Sequence, residues 1–435
     1  MANTYLQRTP TTRTNNQKFT YSCWFKRSEL GTSQYFVINL ESGNDRGYVA
    51  FDTDNKIFIF DKAGGTERFQ ATSNFVLRDT SAWYHLVYSV DSTAGSNRVK
   101  IYINGVDKYD DFTISVAMSQ NSTVGFQQGT VSNSFKVGAQ ETGSTTFSGL
   151  ISHINFVDGL QLDASSFGET DTTTGQWKIK TSPTVSEYGN NGFFILKNSN
   201  SVTDQSGKGN NLTVGGGTLT KTEDNPSNVF ATFNPLASWR GQNNTPQAVL
   251  ANGNLKTGIG TSEMTLLTST IGVKSGKYYW EAKSDGVSKM FFGIVNSRAL
   301  GETNAPHDSS NYSGIHYYEG TTDFRYYSGA TSSTGAVSIS TGDILGFAMD
   351  CDNSCLWIHK NGVYMNSGVP TSGDTGTGAI NRLFNYAGNL FYDNGVKTEM
   401  FASAYVSSTS GSGTASFNFG NGYFGTTAVS SAGTN

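Results

Sequence analysis

The chain has 435 residues, more than one hydrophobic core usually organises, so two domains of roughly 200 residues each are the starting expectation. Hydrophobic residues make up 36% and charged residues 15%, Gly alone numbers 50, and Ser, Thr and Asn fill the gaps between apolar runs, a composition of many short strands joined by polar turns. Lys plus Arg (30) nearly balances Asp plus Glu (34), for a formal net charge of −4. That excludes a protein built to follow a phosphate backbone, and no apolar run approaches the ~18 residues of a membrane span, so neither nucleic-acid binding nor membrane insertion is expected.

The start, Met1-Ala-Asn-Thr-Tyr-Leu-Gln-Arg8, lacks the apolar core of a signal peptide, and the expectation is a protein made and left in the cytosol until a cell lyses. Period-two alternation begins clearly at Lys56-Ile-Phe-Ile-Phe60 and recurs at Val99-Lys-Ile-Tyr-Ile-Asn104, where Val99, Ile101 and Ile103 share one face. Such strands place one face inward and one in water. Asn104-Gly105 follows directly, and Asn-Gly supplies the two positive-φ positions of a tight hairpin turn. Asp163-Ala-Ser-Ser-Phe167 is the one convincing helical turn, with Asp163 placed to cap it and Gly168 to stop it.

Between about residues 176 and 232 the pattern weakens through Asp204-Gln-Ser-Gly-Lys-Gly-Asn-Asn211 and Gly215-Gly-Gly217, which marks a connecting segment that can also add strands to the first domain. The expected fold class is therefore all-β: two antiparallel β-sandwich domains of jelly-roll type, over residues 1–175 and 233–425, joined by a loop-rich segment over 176–232, with a polar tail over 426–435. In the second half, Tyr312-Ser-Gly-Ile-His-Tyr-Tyr-Glu319 and Phe324-Arg-Tyr-Tyr-Ser328 read as a hairpin with aromatics on both faces. A second Asn-Gly turn, Asn361-Gly362, follows another strand.

Candidate chemistry is sparse. Glycoside hydrolysis needs two carboxylates about 5 to 9 Å apart, and no Glu-x-Asp-x-Glu run exists. Glu281 and Asp285 could share a strand face with Lys283 between them, but Asp285, preceding Gly286, reads as already in a turn. The five histidines, at 85, 153, 307, 316 and 359, lack metal-ligand spacing, and His85 reads as a structural histidine of a central strand. Cys23, Cys351 and Cys355 form no Cys-x-x-Cys pair, and Cys351 and Cys355 are read as reduced, packed as small apolar residues. No catalytic residue, metal site or cofactor is expected; Asn44-Asp45, or Asp52 with Asp54, offers calcium oxygen ligands, but Asp52-Thr-Asp-Asn55 is more simply a turn. For ligand binding the candidates are Tyr318, Arg325 and Tyr327, because aromatic faces beside a guanidinium suit sugar rings and protein hot spots.

Four segments of the first half resemble the laminin-G-like, concanavalin-like sandwich family in order: Phe19-Thr-Tyr-Ser-Cys-Trp-Phe-Lys-Arg27 with an inward tryptophan, Trp83-Tyr-His-Leu-Val-Tyr-Ser-Val90, Arg98-Val-Lys-Ile-Tyr-Ile-Asn-Gly-Val106, and Phe147-Ser-Gly-Leu-Ile-Ser-His-Ile-Asn-Phe156. The second half resembles a SPRY domain at Gly276-Lys-Tyr-Tyr-Trp-Glu281, Phe291-Phe-Gly-Ile-Val295, Gly342-Asp-Ile-Leu-Gly-Phe-Ala-Met-Asp350, Leu356-Trp-Ile-His-Lys-Asn-Gly-Val363 and Ser416-Phe-Asn-Phe-Gly420. The joint, Asp204 to Leu212 with Asn225 to Pro235, resembles that between such domains in phage-encoded proteins.

These resemblances imply a non-enzymatic bacteriophage virion protein of tail-fibre or capsid-fibre type, made in the host cytoplasm and carried on the virion as a homo-oligomer. Its expected partners are other virion proteins and a host-surface glycan or protein. The alternative is a capsid decoration or tail-assembly protein that binds only virion proteins, and a glycan-degrading enzyme is the third reading.

Overall fold

The computed structural model describes residues 3–42, 45–126, 135–140, 142–198, 200–236, 239–240, 248–259, 265–286, 290–301, 314–318, 323–326, 330–332, 337–384, 390–393, 395–406, 413–421, 423–424 and 427–428. It is all-β, and its only helices among these residues are short 3-10 turns. The chain divides into two compact units, residues 1–229 and 230–435.

The first unit packs two antiparallel sheets face to face. The eight-stranded sheet runs, in spatial order, Phe112–Val116, Thr66–Ser73, Ile57–Ala63, Asp45–Phe51, Gln34–Ser42, Phe135–Val137, Tyr5–Arg8 and Thr213–Gly216. The six-stranded sheet runs Phe193–Ile195, Gly149–Asp158, Lys18–Arg27, Tyr84–Asp91, Val99–Ile103 and Val106–Asp107. Between them lies a core that includes Phe19, Tyr21, Phe25, Phe36, Val49, Ile59, Phe69, Tyr88 and Phe156, the alternating residues of their strands. Of the segment 176–232, read from sequence as connecting and able to add strands to the first domain, residues 176–229 fold with this unit and supply Phe193–Ile195 to one sheet and Thr213–Gly216 to the other.

Two local expectations are corrected. Strand Lys18–Arg27 has no watered face: Thr20, Ser22, Trp24 and Lys26, which alternate with the core residues, are also buried, because loops after Asp158 cover the outer side of the sheet. Trp24 is thus inside the protein but on the side away from the sandwich core, among Trp83, Ile179 and Trp177. Asp163 does not cap the turn that follows it; its carboxylate is drawn off by Lys100 Nζ at 2.7 Å and Tyr102 OH at 3.0 Å, and Ala164–Ser166 closes as a single 3-10 turn by backbone bonds.

The second unit repeats the two-layer plan. One seven-stranded sheet runs Trp239–Arg240, Thr265–Thr268, Met400–Val406, Met290–Asn296, Gly314–Tyr318, Asp323–Tyr326 and Ala330–Ser332; the other runs Ala248–Ala251, Lys256–Ile259, Gly413–Asn418, Lys277–Gly286, Ile344–Asp350, Cys355–Lys360 and Val363–Tyr364. Trp280, Phe292, Ile294, Phe347, Met349, Ile358 and Phe417 meet between them. Both Asn-Gly turns form as their chemistry requires, with φ of 50° and 79° at Asn104-Gly105 and 48° and 86° at Asn361-Gly362. The three cysteines are buried free thiols, and burial pushes those of Cys23 and Cys351 up to about 12.

Candidate functional site

Strand Tyr5–Arg8 is fixed by pairing with Phe135–Val137 on one side and Thr213–Gly216 on the other. Leu6 anchors it in the core, and Arg8, two residues on, leaves the same face at the strand end. There the guanidinium meets two asparagines: Nη1 donates to Asn191 O at 3.3 Å and Oδ1 at 3.4 Å, and Nη2 donates to Asn210 Oδ1 at 2.6 Å. Asn210 has no freedom to turn its amide round, because its Nδ2 donates to the carbonyls of Asn190 and Gly192 at 2.8 and 2.7 Å.

The loop carrying Asn210 is organised by Asp204. Its Oδ1 accepts the amides of Phe194 and Ser206, both at 2.9 Å, and its Oδ2 accepts the Ser206 hydroxyl and the Asn210 amide, both at 2.8 Å. Asn211 Oδ1 takes the Asp204 amide at 2.8 Å. Asp158 acts in the same way, accepting the amides of Thr14, Asn15 and Asn191. Gln7, Arg8, Thr9, Gly209, Asn210, Asn211 and Thr213 line an open hollow of about 390 Å³ beside these loops.

A second polar arrangement lies on the outward face of the second unit. The Gly362 amide donates to His359 Nδ1 at 3.0 Å, which places the neutral ring's proton on Nε2. From there His359 donates to the Tyr279 hydroxyl at 2.8 Å, Tyr279 donates to Glu281 Oε1 at 2.8 Å, and Asn418 Nδ2 donates to Glu281 Oε2 at 3.1 Å. Burial lowers the pKa of His359 against the opposing pull of Glu281, so the neutral ring persists. Gly346 makes room for this row: a Cβ there would lie 1.9 Å from His359 Nε2.

The carboxylates of Glu281 and Asp285 sit on this face. Asp285 is within strand Lys277–Gly286, not in a turn, and it shares the outward side with Glu281. Four residues of strand separate their backbones, while their carboxylates bond to Asn418 and Ser416, two residues apart on the neighbouring strand Gly413–Asn418. Each is also engaged, Asp285 by the Ser416 hydroxyl and by Lys256 and Lys283 at 3.5 and 3.7 Å.

His85 is a structural histidine. The Trp177 indole donates to its Nδ1 at 3.0 Å, Ser22 Oγ lies 2.9 Å from Nε2, the Trp24 ring stacks at 4.6 Å, and burial, with a smaller push from His153, holds its pKa near about 3. Asp52 Oδ1 accepts the amides of Asp54 and Lys56, forming a turn, and Asp45 Oδ1 accepts the Gly64 amide. Asn44 lies outside the described residues. Among the described residues no group of three His, Cys, Asp or Glu is placed to hold a metal ion.

Of the expected ligand residues, Tyr318 lies on strand Gly314–Tyr318 and Arg325 on Asp323–Tyr326, paired with Asp323 and His316 respectively. Their side chains fall outside the described residues, as does Tyr327 altogether. Arg8 and its asparagines escaped the sequence reading. The Asp204-to-Leu212 segment was conspicuous but was read as a joint, and a lone arginine ending a four-residue strand carries no pattern of its own.

Residues 1–164 match the family profile described as the Concanavalin A-like lectin/glucanases superfamily. Similar solved structures include the SPRY domain of human HERC1, at 12% identity over 43% of this chain and 97% of that one with a TM-score of 0.31. They also include the TRIM65 PSpry domain, at 12% identity over 43% and 91% with a TM-score of 0.29. A third is the heptameric SAP-like pentraxin from Limulus polyphemus, at 13% identity over 37% and 71% with a TM-score of 0.26. No curated protein matches the chain. The chain is thus an all-β protein of two units, each built on two large antiparallel sheets, and within the first unit residues 1–164 are similar to concanavalin A-like domains.

Proposed function

We propose that this chain is a non-enzymatic attachment protein of a bacteriophage particle, of tail-fibre or capsid-fibre type, whose sandwiches bind a glycan or protein on the host surface. The observation that carries the binding reading is the hollow beside Arg8, whose rim is held by side-chain and backbone hydrogen bonds and whose lining offers donors and acceptors but no nucleophile with a base. The engagement of Glu281 by Tyr279 and Asn418, and of Asp285 by Ser416 and two lysines, supports recognition over hydrolysis. The virion assignment rests on the resemblance of the segments Asp204 to Leu212 and Asn225 to Pro235 to joints in phage-encoded proteins.

The test is binding of the purified full chain to cells on which the parent phage grows, set beside binding to particles that lack the chain. Saturable cell binding that blocks infection is the expected result. Binding to particles alone would overturn attachment and make this a decoration or assembly protein. Release of reducing ends from host glycans, lost in Glu281→Gln, would overturn the non-enzymatic reading.

A further inference from the structure

We propose that the hollow between strand Tyr5–Arg8 and the loop leading into strand Thr213–Gly216 binds an acidic, sugar-sized ligand, its carboxylate or phosphate held by Arg8 and its hydroxyls by the surrounding amides and Thr213. The proposal deepens the attachment reading by naming what this surface takes.

Three observations carry it. First, no carboxylate touches the cation among the described residues. Asp204 and Asp158 are the carboxylates whose charge Arg8 feels, yet neither forms an ion pair with it. The oxygens of Asp204 and Asp158 are spent on backbone amides and on the Ser206 hydroxyl. Arg8 touches only neutral oxygens of Asn191 and Asn210 among the described residues, so an incoming anion meets a guanidinium without a competing carboxylate in contact.

Second, Arg8 keeps donors in reserve. Its three bonds leave part of the five-donor fork uncommitted, and the fork is the geometry that recognises a carboxylate or phosphate in two places at once. Asn191 and Asn210 hold the guanidinium in place, so little rotamer entropy remains to be lost on binding.

Third, the space has a size. The hollow is open to solvent, its volume of about 390 Å³ suits a single sugar-sized body, and its walls mix amide, hydroxyl and glycine backbone without a large apolar side chain. That favours a polyhydroxylated body over an apolar one. The guanidinium at one side then selects an acidic member of the class.

The experiment titrates the full chain with glucuronic acid, N-acetylneuraminic acid and glucose 6-phosphate, and with neutral glucose and N-acetylglucosamine, followed by calorimetry and saturation-transfer NMR. Acetate and inorganic phosphate serve as bare anions. At least one acidic sugar is expected to bind about tenfold or more tightly than its neutral counterpart, with binding weakened by salt. Arg8→Gln removes the charge and Thr9→Trp fills the hollow while leaving Arg8 in place; both are expected to abolish the preference with the thermal transition retained.

Equal binding of neutral and acidic sugars, no acidic sugar bound at about 10 mM, or full binding by a folded Thr9→Trp chain would overturn the site. So would bare acetate or phosphate binding as tightly as the sugars, since the hollow would then contribute nothing. Sugar binding is read on the purified chain and attachment on cells. An idle hollow with intact cell binding overturns the site alone, and sugar binding without cell binding overturns attachment alone.

Discussion

Replacing Asp224 by alanine is expected to cost the first unit about 3–5 kcal/mol, and calorimetry of the full chain should show its transition about 10 °C lower. Lys26 Nζ lies 2.7 Å from Asp224 Oδ2, and the two side chains are 2% and 0% exposed. The other carboxylate oxygen accepts the Trp83 indole N–H at 2.8 Å. Lys26 stands opposite Leu150 in the sheet, next to the cluster of Trp24, Trp83 and Ile179, so deleting the carboxylate takes the countercharge from a buried ammonium and the acceptor from the Trp83 indole. The pair itself need not be a net gain over apolar packing. Lys26→Met combined with Asp224→Leu is therefore expected to recover most of the loss, whereas an Asp224→Ala cost under about 1 kcal/mol would show that the buried charge is compensated elsewhere.

What this pair does for the chain was hidden in the sequence. Lys26 and Asp224 are 198 residues apart, and the alternation of Lys18–Arg27 assigns Lys26 to a watered face. Alternation reports which residues share a side, as Phe19, Tyr21, Cys23 and Phe25 do here; it says nothing about whether the other side is later covered. The same limit explains Trp24. Turn chemistry was more legible, because the φ demanded of Asn104-Gly105 and Asn361-Gly362 is local. Asp163 shows where local reasoning fails: its capping geometry was available, and a lysine and a tyrosine from the neighbouring strand Val99–Ile103 outcompeted it. The Arg8 hollow was illegible for a similar reason, since it joins residue 8 to residues 191 and 210 through loops whose asparagines look like ordinary turn formers. The aromatic hairpin was visible as strands, but strand identity does not decide which side chains meet a ligand.

Asp61 is expected to give the first unit a stability that falls as pH rises from about 4 to 7. Its carboxyl is fully buried in strand Ile57–Ala63, facing the amides of Gly125 at 2.8 and 3.0 Å and of Phe126 at 3.2 Å. Only glycine permits that approach, because a Cβ at residue 125 would lie 2.1 Å from the Lys62 carbonyl oxygen. Burial raises its pKa from 3.8 to about 7, outweighing the two amides and the more distant Arg13 and Arg68. The native state then holds the proton more tightly than the unfolded chain does. Its contribution is complete below pH 4 and is lost as pH climbs through 7, a swing of about 4 kcal/mol.

His85 and His153 act in the opposite direction over much of the same range, since burial lowers them to about 3 and about 4. Their contribution is present above pH 6.5 and is lost as pH falls. The wild-type profile is thus a sum of opposed slopes, and the informative quantity is the difference from Asp61→Asn, which stays neutral throughout. Urea unfolding at steps from pH 4 to 7.5 should show the wild type losing about 4 kcal/mol relative to the variant as pH rises, while the variant itself becomes steeply acid-labile once the term opposing the histidines is gone. A difference that does not change with pH would mean that the amides of Gly125 and Phe126 outweigh burial and keep Asp61 ionised, in which case the loop they carry is held by a charge and not by a shared proton.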